Sequence, residues 1–191
     1  PRKLLLENRT QKSLVLVHGL TDSPFYVAAI AEYFHRALGY NVYLPLLQCH
    51  GLKNPGGMAG VSLAHWKENV GFAVRTAAEN GGRVSIGGLS TGGALGFYFA
   101  CTDAKITGDL YLFSAALGLS GGRFDIFGGF VEFLLRLPFV QLLDSKKPLV
   151  GRNPYRYDRV PLNSAGELSR LIAEIDGLLR LPEKIIFAQR I

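Results

Sequence analysis

The stretch SIGGLSTGGAL, residues 85–95, decides the fold. Five of its eleven residues are glycine or alanine, and Ser90 stands in the middle as Gly88-Leu89-Ser90-Thr91-Gly92. Before it, Arg83-Val84-Ser85-Ile86 reads as a short strand. After it, the run from Thr91 to Thr102 reads as a helix. A serine at such a junction must turn sharply, so the residues two before and two after it cannot carry bulk. Gly88 and Gly92 provide that clearance.

The pattern is G-x-S-x-G, the nucleophile elbow, which lifts a serine hydroxyl above the end of a sheet. Open α/β sheets place their sites at the carboxyl ends of parallel strands. Two other readings compete. In one, Ser90 is a helix cap in a glycine-rich packing turn. In the other, the turn cradles phosphate, which requires G-x-x-x-x-G-K-[ST]. Gly87 and Gly92 have the first spacing, but Gly93 stands where the lysine belongs, and G-x-G-x-x-G does not match either. Nucleotide binding is therefore disfavoured.

Working outward, Leu14-Val15-Leu16-Val17 is a buried strand. A helix follows, with Ser23 at its N-cap, Pro24 at its first position and Gly39 past its end. Phe25, Ala28, Ala29, Glu32 and Tyr33 follow its spacing. Residues 40–44 form a second strand stopped by Pro45, and residues 46–61 form a loop with four glycines. Trp66, Val70, Ala73, Val74 and Ala77 line one face of the next helix, which Asn80-Gly81 stops. A fourth strand lies in Gly108–Ala115. Strands alternating with helices pair in parallel, so the fold class is α/β, a mostly parallel sheet flanked by helices.

Residues 115–160 break the pattern, with a helix expected at 124–137. Ser164-Ala165-Gly166-Glu167 carries a capping-box signature. Leu168, Leu171, Ile172, Ile175, Leu178 and Leu179 then share one helical face. A last strand is expected at 184–188.

An elbow needs an oxyanion hole. One donor is expected at the backbone N–H of Thr91, at a helix N-terminus. The other is expected at the N–H of Leu20, in the loop His18-Gly19-Leu20 after the first strand.

Composition narrows the class. The net charge of +6 comes from scattered residues, with no Lys/Arg block interleaved with aromatics, so a nucleic-acid footprint is unsupported. Cys49 and Cys101 lack metal-ligand spacing and read as small core residues. The longest apolar run, residues 126–143, is broken by Glu132, Arg136 and Pro138 and is too interrupted to span a membrane. No signal peptide is visible, which leaves a cytoplasmic location as the default.

The stretches LVLVHGLTDSPFYVAAIAEYF, LPLLQCHG, SLAHWKENV and GLSTGGAL resemble the α/β-hydrolase superfamily, in its carboxylesterase and monoacylglycerol-lipase-like branch. The resemblance is strong over residues 13–115, and YRYDRVPLNSAGELSRLI resembles the return from a cap into the core. It implies a serine hydrolase of small-molecule carboxylic esters, acting through an acyl-enzyme on Ser90 without metal or organic cofactor. It also implies an organisation of core (1–114), cap or lid (115–160) and return to the core (161–191). Acyl chains are expected to be short to medium. A thioesterase or acyltransferase would use the same parts, and a non-catalytic binding module on this scaffold is the alternative of another class.

The triad is incomplete. In this fold the order is Ser, then Asp or Glu, then His. His18, His35, His50 and His65 all precede Ser90. Asp103, Asp109, Asp125, Asp144, Asp158 and Asp176 follow it but at the wrong places for the acid. The expectation is a hydrolase fold truncated at its C-terminus, with the triad acid and base beyond Ile191. His18 and His50 are expected to orient loops, His65 to pack or hydrogen-bond at a helix start, and His35 to be exposed.

Overall fold

The strand read from Leu14-Val15-Leu16-Val17 extends from Lys12 to Val17, and every residue after Lys12 is buried. Side chains on a strand alternate between faces. Val15 and Val17 join one core, with Trp66, Val70, Ile86, Leu95 and Leu171, while Leu14 and Leu16 join a second, with Val27, Phe34 and Val42. A strand buried on both faces is the signature of a sheet covered by helices on both sides.

The computed structural model describes residues 2–5, 10–52, 58, 60–80, 82–118, 153–158 and 160–181. Among the described residues, five strands form one sheet: β1 (Arg2–Leu4), β2 (Lys12–Val17), β3 (Asn41–Leu44), β4 (Arg83–Leu89) and β5 (Leu110–Phe113). Their order is β1-β3-β2-β4-β5. All neighbours are parallel except β1, which pairs antiparallel with β3. This edge strand escaped the sequence reading because three residues carry no usable periodicity. Val17 pairs with Gly88 and Leu89 with Phe113, so β2, β4 and β5 end together at one edge.

The helices are α1 (Ala28–Arg36), α2 (Leu63–Glu79), α3 (Thr91–Thr102) and α4 (Leu162–Leu179). Residues of α2, α3 and α4 line the first core and those of α1 the second. The five residues expected on one face of α2 are buried, and Ser62 caps its N-terminus by accepting from His65 N–H at 3.3 Å.

Four details in and around the helices differ from the sequence reading. Before α1, residues Pro24–Val27 form a 3-10 turn, which shifts the phase of the helix. The inward residues are Val27, Ala31 and Phe34, while Phe25 and Tyr33 are exposed. The Ser23 hydroxyl does not cap this turn; it donates to Tyr155 O at 2.8 Å. Gly39, at φ +72°, does turn the chain after α1. His35 is half-buried rather than exposed, with Nδ1 2.9 Å from Tyr40 O.

The fourth difference is at α4. The helix starts at Leu162, directly after Pro161 at φ −58°, ahead of the expected capping box. Proline's fixed φ suits a helix start, so Ser164 falls inside the first turn and donates its hydroxyl to Pro161 O. Glu167 then reaches across to another helix, accepting from Leu63 N–H at 2.8 Å. A carboxylate there satisfies an orphan donor at the N-terminus of α2. Leu168, Leu171, Ile172 and Ile175 are buried as expected, but Leu179 is exposed. The expected helix at 124–137, the strand at 184–188 and most of the 115–160 insertion lie outside the described residues.

Candidate active site at the carboxyl edge of the sheet

Ser90 follows β4 directly and occupies the N-cap position of α3, at φ +53° and ψ −116°. A positive φ costs a residue bearing a Cβ about 1–3 kcal/mol and persists only where its surroundings enforce it. Here they do. Ser90 N–H donates to Phe113 O at 3.0 Å, and Ser90 O accepts from Ala94 and Ala116 N–H, each at 3.1 Å. The side chain makes no capping bond, which removes the reading of Ser90 as a helix cap. Its backbone is fully engaged, and the half-buried hydroxyl is left out of that network.

The flanking glycines explain how so tight a turn packs. A Cβ on Gly88 would collide with the backbone of Gly92 and come within 2.7 Å of Val17 O. A Cβ on Gly92 would collide with Val17 O and lie 2.5 Å from His18 O. The start of α3 therefore rests on the end of β2, and the turn at Ser90 adjoins the loop His18-Gly19-Leu20. Thr91 is the first residue of α3 and fully buried, at the positive end of the helix.

The loop after β2 is held by its own carbonyls. Gly19 O accepts from Asp22 N–H at 3.2 Å and lies 2.9 Å from His18 Nδ1. Leu47 N–H donates to His18 Nε2 at 3.2 Å, which assigns the ring proton to Nδ1 and makes it a donor to Gly19 O. A planar trans peptide points its N–H opposite to its C=O, so anchoring Gly19 O sets the direction of Leu20 N–H. Leu20 O faces His50 Nε2 at 2.7 Å, and the other ring nitrogen of His50 faces Gln48 O at 3.0 Å.

Both histidines are buried, and their ring centroids lie 4.8 Å apart. Burial pushes the His18 imidazole down to about 3, with the neighbouring His50 adding to the effect. Burial also lowers His50, against the pull of its carbonyl partners. Asp22 moves the other way, its carboxyl raised by burial despite the Thr21 hydroxyl and the Arg156 charge. His18 thus holds the loop as a neutral ring; a neutral His50 carries one ring proton, which the shorter 2.7 Å contact assigns to Nε2 as donor to Leu20 O. His65 hydrogen-bonds Ser62 at the start of α2.

Three of the acids following Ser90 are engaged or placed elsewhere. Asp103 accepts from Lys105 N–H beyond the end of α3, Asp109 pairs with Arg83 at the opposite edge of the sheet, and Asp176 is exposed on α4. Asp125 and Asp144 lie outside the described residues. The structure adds one residue that sequence reasoning missed, Tyr157. Its backbone N–H donates to Thr21 O at 2.8 Å and its hydroxyl bonds the 49–52 turn. No local pattern marks it, since its partners lie more than 100 residues away.

Among the described residues, no group of three His, Cys, Asp or Glu side chains is placed to hold a metal ion. None of the described helices is long and apolar enough to cross a membrane. A cleft of about 600 Å³ between α2 and the β1–β3 edge, lined in part by Lys3, Tyr43 and Phe72, involves none of the residues around Ser90.

A strand, a serine at positive φ, a helix and a glycine-lined contact with the neighbouring strand's loop make a family-level arrangement, and the sequence agrees. Residues 14–184 match the model of the Alpha/beta hydrolase family. The chain belongs to that family. No curated protein matches it. Among solved structures, it is similar to one described with LipS and LipT, two metagenome-derived lipolytic enzymes, at 25% identity and a TM-score of 0.73. That match covers 89% of this chain and 67% of the other. MenH from S. aureus is 20% identical, with a TM-score of 0.55 over 88% of this chain and 69% of that one. A carboxylesterase structure from the ammonia-oxidizing thaumarchaeon Nitrososphaera gargenis is 12% identical, with a TM-score of 0.53 over 90% and 67% of the two chains. The last two speak for the fold alone. The α/β-hydrolase fold expected from the sequence is the fold observed.

Proposed function

We propose that this chain carries the nucleophile and oxyanion hole of a serine hydrolase acting on small-molecule carboxylic esters. The observation that carries the reading is Ser90 itself. It is held at φ +53° by backbone bonds, its hydroxyl is left out of them, and it adjoins a loop whose carbonyls are anchored. Membership of the hydrolase family and likeness to a lipolytic enzyme support ester cleavage.

In this reading Ser90 Oγ attacks the ester carbonyl carbon while its proton passes to a base. The carbonyl oxygen gains negative charge, which the N–H groups of Leu20 and Thr91 stabilise. Collapse expels the alcohol, which takes up the proton and leaves an acyl group on Ser90. Water then adds to the acyl carbon and releases the acid. His18 and His50 are not assigned as the base, because His18 spends its ring nitrogens on Gly19 O and Leu47 N–H and the His50 ring is directed at Leu20 O. No organic cofactor or metal is needed for these steps.

A second reading, a ligand-binding module without turnover, rests on the same observation that occupies His18 and His50. One experiment separates the two. The full-length protein is treated with a fluorophosphonate and assayed with p-nitrophenyl acyl esters. Ester hydrolysis requires labelling at Ser90 and a fall in turnover of about 10³-fold or more in Ser90→Ala. A folded protein that neither labels nor turns over is the binding module.

A further inference from the structure

The oxyanion loop is fastened from outside as well as from within. Tyr157 belongs to the 153–158 segment on the far side of the insertion, and it is buried. Its N–H holds Thr21 O, one residue beyond the proposed donor Leu20. Its hydroxyl donates to Cys49 O at 2.9 Å and accepts from Leu52 N–H at 2.8 Å. Those two bonds span a turn in which Cys49 is held at φ +62°, a conformation that residues other than glycine rarely adopt. The next residue in the turn is His50, whose Nε2 faces Leu20 O. Two consecutive carbonyls of the oxyanion loop, Leu20 O and Thr21 O, are thereby anchored through one tyrosine, once directly and once through the turn that presents His50. The same segment adds a stack of Tyr155 on Phe25, with ring centroids 3.7 Å apart, but that pair is exposed and lies outside these carbonyl contacts.

We propose that Tyr157, acting with His50, is a positioning residue that holds the oxyanion loop in register with Ser90 and ties the end of the insertion to the hole. This rests on the ester-hydrolase reading above. The physical need is plain: an oxyanion donor counts only if it is fixed before charge develops, because any reorganisation at that moment is added to the barrier. Three chain segments meet at this tyrosine: the oxyanion loop, the 49–52 turn and the end of the insertion.

The test uses the full-length enzyme, a carboxylic ester and its thiono analogue, in which sulfur replaces the carbonyl oxygen. Sulfur fits an oxyanion hole poorly, so the ratio of the two kcat values reads the hole itself and is indifferent to the fraction of folded enzyme. Tyr157→Phe keeps the ring and the backbone N–H and loses both hydroxyl bonds. It is expected to lower kcat for the oxygen ester about tenfold, leave KM within about twofold, and lower the oxygen-to-thiono ratio about tenfold. Tyr155→Ala is expected to leave the ratio unchanged. If Tyr157→Phe does not fold, His50→Gln carries the test, since it weakens the hold on Leu20 O while keeping Tyr157. A ratio that stays at the wild-type value in the folded variant overturns the proposal while leaving the hydrolase reading intact. A wild-type protein without Ser90-dependent turnover overturns both.

Discussion

The turn at Ser90 and the loop at Gly19 adjoin at the same edge of the sheet, yet they are held by opposite means. The turn is held by absence: Gly88 and Gly92 omit side chains, and backbone packs on backbone. The loop is held by presence: His18, His50 and Tyr157 each place a polar group on a carbonyl or amide from another part of the chain. The first device omits side chains within two positions of the serine, so that the backbone of Val17, His18 and Phe113 can close on the turn. The second draws on residues 18, 47–52 and 157. A locally built turn tolerates no added atom, whereas a network of side chains can weaken by degrees. The position of Ser90 is therefore all-or-none, and the geometry of the 18–20 loop is adjustable.

Substitutions can break that contrast. The largest effect belongs to Gly92→Ala, whose new Cβ would fall on Val17 O and His18 O. Backbone cannot swing aside as a flexible side chain can, so the expected loss exceeds about 4 kcal/mol, or no folded protein forms. Urea unfolding measures it, and a loss under about 1 kcal/mol would mean the turn is not held by steric exclusion.

The loop should instead respond to pH. His18 is neutral in the folded protein, with its titration pushed from 6.5 down to about 3. The unfolded chain takes up the proton first, so the stability this residue contributes is fully present above pH 6.5 and is lost as pH falls from there toward 3. The slope is about 1.4 kcal/mol per pH unit in that window. His50, also lowered, adds in the same direction, while Asp22, raised, opposes it. Unfolding free energies of wild type and His18→Gln between about pH 7 and 5 isolate the His18 share; parallel curves would show that it does not exist.

The smallest effect returns to the turn. Ser90→Gly removes the Cβ held at positive φ, and at such a position glycine is the better-suited residue. Thermal unfolding is expected to show equal stability or a gain of up to about 1 kcal/mol, together with loss of ester turnover. A clear drop in stability would place the serine hydroxyl in a structural bond and undo the proposal that it is a free nucleophile.

Much of this was legible along the chain. The Leu/Val run of β2, the apolar face of α2 and the Gly88-Leu89-Ser90-Thr91-Gly92 turn each depend on neighbours in sequence, and periodicity or glycine spacing reports such neighbours directly. These were enough for the α/β class and the position of the candidate nucleophile. The tertiary structure decided what depends on distant partners. It chose the inward face of α1 through a 3-10 entry turn, moved the start of α4 to Pro161, and freed Glu167 to cap a helix about a hundred residues away. It also supplied the partners through which His18 and His50 hold the 18–20 loop, and brought Tyr157 to that loop. The reason is common to all of these. A side chain's hydrogen-bond partner and its burial are set by whichever segments the fold brings alongside, and nothing in the residues next to it records which those will be.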